Sequence, residues 1–158
     1  MSPDLWSFSL DLYAKPGVEP ACLASQDAGA NVCLLLCGLW LAQRGVACNE
    51  HRLRQLRQLA EPWDAEVVRP LRTLRSQWKA GALRDTALDS LREQVKQLEL
   101  AAERRLLERL EALTKDWPGV QQDDSAQWLQ GLAANAEPAS RDALHQLRVA
   151  VRHLGSAG

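Results

Sequence analysis

Residues 32–42 read VCLLLCGLWLA, and this stretch decides the fold. It carries no charge and, wound as a helix, is apolar on every side, the pattern of a helix enclosed by protein. Asn31 is placed to cap its start, and Gly45, after Gln43 and Arg44, to stop it. A bilayer crossing requires about 20 such residues, so the run is too short for one. The expectation is a buried core helix over residues 32–44, with amphipathic helices packed around it.

Working outward, Ser2 and Pro3 form a cap-and-proline start for a first helix carrying Leu5, Phe8 and Leu12. Pro16-Gly17 ends that helix, and a short second one is expected from Pro20 to Asp27, closed by Gly29. Beyond the core run, Asn49 caps a helix through Leu53, Leu56 and Leu59, and Pro62 reads as the opening of another. In that segment Trp63, Val67, Leu71, Leu74 and Trp78 share one arc at 100° per residue. Arg69, Arg72 and Lys79 lie opposite, with Arg75 at the boundary, and Pro70 predicts a kink near Glu66. The longest helix is expected over about 83–116, with Leu88, Leu91, Val95, Leu98, Ala102, Leu106, Leu110 and Leu113 as its apolar stripe. At 1.5 Å per residue it outruns a compact core, so one end is free to project or to pair with a second copy. Two weaker helices follow, one capped by Asp124 or Ser125 around Trp128, the other starting at Pro138 and Ser140. No run alternates with period two between turn signals, so no strand is expected. The reading is all-α: one domain over residues 1–158, a bundle of about six to eight helices, its pattern weakest over 119–158.

A chain of 158 residues, 46% hydrophobic and 25% charged, can build a core without metal or disulfide staples. Asp4 and Asp11 interrupt the first residues, so no export signal is read, and a cytoplasmic protein with four reduced cysteines is the expectation. The net charge of −1 gives no global field towards nucleic acid or membrane. Locally the balance differs. Over residues 51–79, Arg and Lys outnumber Asp and Glu seven to three.

Ala21 to Asp27, then Asn31-Val32 and the core helix to Arg44-Gly45, resemble a proteobacterial family of hypothetical proteins about 160 residues long, a domain of unknown function. Val67 to Arg72 with Arg75, and Glu99 to Arg104, are similar to further patterns of that family. The resemblance covers most of residues 4–110. This chain is one residue shorter in the turn after Asp27, and has Asn31 and Cys33 where the family usually has Asp and Asn. The resemblance supports the fold and brings no activity.

Several polar groups qualify as candidates, each with a structural alternative. Cys33 and Cys37 have a spacing that could reach one metal, but the other two cysteines lie in no ligand motif, so core packing is the reading, with no metal and no cofactor. Gln26 and Asp27 sit at the junction of the two innermost helices, where Asp27 is read as a cap of the core helix or an anchor for a ligand amine. Glu99 and Glu103 stand at i, i+4, able to bind a metal or divide acid and base roles, or Glu99 to pair with Arg92, Lys96 or an arginine of the face formed by Arg69, Arg72 and Arg75. Those arginines could also bind phosphate, though no stacking platform or nucleic-acid motif accompanies them. No catalytic template is present: no glycine-rich phosphate loop, no Gly-x-Ser-x-Gly, no nucleophile with a spaced base.

Three functions remain open on the sequence. The first is a non-enzymatic helical protein acting on a protein partner, including itself through the long helix. The second is a small-molecule binder or enzyme with an inter-helix pocket at Asp27, Arg72, Glu99 and Glu103. The third is nucleic-acid binding through Arg69, Arg72 and Arg75, which the composition argues against.

Overall fold

The computed structural model describes residues 3–133 and 141–156. Among the described residues the chain is helical with no strand: α1 (Leu5–Tyr13), α2 (Val18–Asp27), α3 (Val32–Gln43), α4 (Glu50–Trp63), a π-turn (Asp64–Val68), α5 (Arg69–Gln77), α6 (Lys79–Ala82), α7 (Thr86–Thr114), α8 (Ser125–Leu132) and α9 (Arg141–Ser156).

The apolar run forms α3, and all of residues 33–41 are buried. Each enclosed leucine contributes about 1.5–3 kcal/mol. Asn31 caps it, its Oδ1 accepting from the Leu34 amide at 3.3 Å. Gly45, at φ +74°, turns the chain out of it in the left-handed region that glycine enters without a Cβ clash. Helices α1, α2, α4, α7, α8 and α9 all pack on α3. The approach of α8 is close because residue 38 is glycine: a Cβ there would lie 2.8 Å from Leu132 Cδ1 and 3.3 Å from Trp128 Cβ.

Several boundaries differ from the sequence reading. Asp4 caps α1 through the Ser7 amide at 2.7 Å, so Pro3 precedes the cap, and Ser2 lies outside the described residues. Helix α2 starts at Val18, two residues before Pro20. Pro62 opens nothing, because α4 runs from its Asn49 cap through Pro62 to Trp63. Asp124 precedes α8 but spends its carboxylate on the Cys48 amide at 2.7 Å, while Asp123 accepts from Ser125 at 3.1 Å. The expected helix start at Pro138 and Ser140 lies outside the described residues.

The kink expected near Glu66 is the π-turn. Pro70 has no N–H to give the Glu66 carbonyl, and the Arg69 amide bonds five residues back, to the Asp64 carbonyl. One extra residue per turn shifts the phase of everything after it. Ala60, Asp64 and Val68 are buried, Val67 is only half-buried, and Arg72 and Arg75 come round to face α7.

Helix α7 begins at Thr86, capped by Asp85, later than the expected Leu83. It contributes Leu106, Leu107 and Leu110 to the main core. Its first half packs against α5 and α6, an arm in which neither of those helices buries a residue fully. Leu91 and Leu98, expected inside the stripe, are 50% and 57% exposed, while Val95, Glu99 and Ala102 are buried. Helix α5 meets α7 through arginine side chains, which draws the carboxylate at 99 inward and leaves the neighbouring leucines at the edge.

Candidate functional site

Phase and capping together bring α1, α2, the π-turn, α5 and α7 around the start of α3. Glu99 is at the centre, its side chain 9% exposed. Arg72 Nε donates to Glu99 Oε2 at 3.2 Å, and Arg75 Nε to Glu99 Oε1 at 2.6 Å. Arg75 is held in turn by Arg92, whose Nε donates to the Arg75 carbonyl at 2.9 Å. Buried carboxylates are tolerated when paired and hydrogen-bonded in this way.

One turn further along α7, Glu103 stands 3.7 Å from Arg72 Nη2. Its carboxyl is pushed up to about 7, chiefly by burial and next by the Glu99 charge, with Arg72 pulling the other way. It is therefore partly protonated near neutrality, the condition that suits acid–base or switchable hydrogen-bonding work. Asp64, buried at the head of the π-turn, accepts from Arg69 Nε at 2.6 Å.

Arg72, Arg69, Asp64 and Glu103 border two cavities, while Glu99, Arg75 and Arg92 line neither. The smaller, about 230 Å³, is walled mainly by apolar side chains, among them Trp6, Leu10, Val32, Leu36 and Leu107, with Glu103 and Cys33 beside them. The larger and more polar, about 470 Å³, carries Arg57, Arg69, Arg72, Glu61 and Asp64. Gln26, Asn31, Asp64 and Arg72 line both, so the two lie side by side at the N-terminus of α3. The Nδ2 of Asn31 is shut off from solvent and has no hydrogen-bond partner within the protein.

Of the residues singled out in the sequence, Arg72, Arg75, Glu99 and Glu103 converge, and of these Arg72 and Glu103 line a cavity together with Gln26. Arg69 reaches the same wall from its exposed position, its side chain 62% exposed. Asp27 does not join them. It is the exposed last residue of α2, lines neither cavity, and the cap of α3 is Asn31. Asp64, Arg57 and Asn31 were not singled out as site residues, and Asp64 and Arg69, five positions apart, meet because the π-turn closes between them. Cys33 and Cys37 are buried in the core, where desolvation drives both thiols well up, so neither is an activated nucleophile.

Residues 4–110 match a family described as "Protein of unknown function (DUF2390)". No curated protein and no solved structure matches the chain.

Proposed function

The chain belongs to the DUF2390 family of proteins of unknown function, and we propose that it binds a small organic molecule in the cavities at the start of α3. The observation that carries this reading is that Arg72, held by Glu99, and Glu103 stand at the wall of a largely apolar cavity with a polar one beside it. Ligand sites are typically apolar concavities with a few oriented polar groups, one of them with a perturbed pKa. A fragment screen by NMR on the intact protein tests it. Hits should shift the amides of Val32, Cys33, Arg72 and Glu103 together. A diverse library that shifts none of them, or clusters elsewhere, refutes the reading.

A second reading rests on the arm. Leu83 is 87% exposed, and Leu91 and Leu98 stand seven residues apart on α7. Two α7 helices related by a two-fold axis could set Leu91 of one copy against Leu98 of the other. Light scattering against concentration, on the protein and on Leu91→Glu with Leu98→Glu, decides it: a monomer throughout excludes this partner. Arg72 and Arg75, occupied by Glu99 and only 24% and 27% exposed, are not available as a phosphate-binding face.

A further inference from the structure

If two copies pair along α7, the second reading above and the one on which this inference rests, the exposed side of the helix dictates how they meet. Ala87, Leu91, Gln94, Leu98 and Ala101 are all exposed and recur at steps of four, three, four and three residues. At 100° per residue they fall within an arc of about 80°. Ser90 and Gln97, also exposed, border the strip on one side. None of the seven is charged, on a helix whose other exposed positions include Asp89, Glu93, Arg104, Arg105, Glu108 and Arg109. The buried positions Val95, Glu99 and Ala102 lie on the neighbouring face, where α5 packs, so the strip is not needed for the fold of the arm.

The order of residue types along the strip is the same in both directions: Ala, Leu, Gln, Leu, Ala. A two-fold contact requires that property, because each surface must match itself reversed. With the axis beside Gln94, Ala87 of one copy meets Ala101 of the other, Leu91 meets Leu98, and Gln94 meets its own mate. A side-chain amide both donates and accepts, so two of them satisfy each other, where two lysines or two glutamates would repel. Alanines towards the ends let the helix axes approach to about 8 Å, the close end of helix packing. Other partners fit less well. A charged surface finds no counter-charge on the strip, and a wholly apolar one would bury Gln94 without a hydrogen bond.

We propose that the chain forms an antiparallel homodimer through α7, with its two-fold axis at Gln94. From Ala87 to Ala101 the strip is about 21 Å long on a helix about 10 Å wide. That is less than the roughly 800 Å² per partner of a standard interface, so the association is weak and set by protein concentration.

Disulfide trapping of the full chain in a Cys48→Ser background, where the remaining native thiols are buried, reads the geometry. Gln94→Cys should cross-link to itself under mild oxidation. Ala87→Cys alone and Ala101→Cys alone should not, while an equimolar mixture of those two chains should give the mixed species as its main product. All three positions are exposed, so the thermal midpoints should hold. Gln94→Lys sets like charges against each other at the axis and should weaken dimerisation about tenfold or more, read by light scattering against concentration. Self-cross-linking of Ala87→Cys without the mixed species would mean parallel pairing and overturn this geometry alone. A dimer in which Gln94→Cys does not cross-link, or which is indifferent to Gln94→Lys, would do the same and leave pairing through α7 to be judged by Leu91→Glu with Leu98→Glu. A chain monomeric up to about 1 mM, where even a millimolar affinity would show, refutes both this geometry and the reading it rests on.

Discussion

Glu103→Gln is the substitution whose effect the structure fixes most closely. The carboxyl titrates at about 7 in the folded chain, against 4.5 for an ordinary glutamate. That difference corresponds to about 3 kcal/mol at 1.36 kcal/mol per unit. The side chain retains 30% of its exposure, so solvent screening reduces the figure to about 1–2 kcal/mol. The sign follows from the raised value. Below pH 4.5 the group is protonated folded and unfolded, and the stability it permits is fully present. Between 4.5 and 7 the unfolded chain releases the proton first, and that stability is lost as pH rises through the folded value. Glutamine has the shape of the protonated form and no proton to lose. The variant should therefore match the natural protein near pH 4.5 and exceed it by about 1–2 kcal/mol at pH 8. Urea unfolding at half-unit steps from pH 4.5 to 8.5, followed by far-UV circular dichroism, measures the difference. A difference that stays flat across that range, or a variant less stable at pH 8, would mean that Glu103 is not held by burial and by Glu99 as described.

Glu99→Gln should act oppositely, destabilising the chain by about 2–4 kcal/mol at neutral pH, because Arg72 and Arg75 lose their shared carboxylate; denaturant midpoints read the loss. Gly38→Ala gains helix propensity but drives a methyl group into Trp128 and Leu132, so a net cost of about 1–2 kcal/mol is expected, and a stabilised variant would show slack between α3 and α8. Of the four cysteines, Cys48 alone is not fully buried, and its thiol is pushed up to about 11 by desolvation. Ellman's reagent should thus find one slow thiol in the native protein and four in denaturant. Amide exchange should be slowest along residues 33–41, and rapid exchange there in the folded chain would contradict the enclosure of α3.

How much was legible differs between elements for identifiable reasons. The core helix, its Asn31 cap and its Gly45 stop could be read directly, since each depends on residues within a few positions of one another. The long helix, and that one of its ends outruns the core, followed from period and length, but which end it is did not. The burial of Leu91 and Leu98 did not, because which edge of an amphipathic stripe is covered depends on the neighbour. Asp27 misled because a short carboxylate before an apolar helix suits a cap, and the cap fell to the residue nearest the helix start.

The arginines show where local reading stops. Residue types and spacing determined an all-helical chain, an enclosed central helix, and a supply of Arg and Glu on facing segments. Only the tertiary structure decided that Arg72 and Arg75 turn inward to Glu99, beside Glu103 and the start of α3. The cause is a single added residue in the π-turn before Pro70. It rotates every later side chain of α5 about the helix axis by one position, a displacement that no periodicity measured at 100° per residue records.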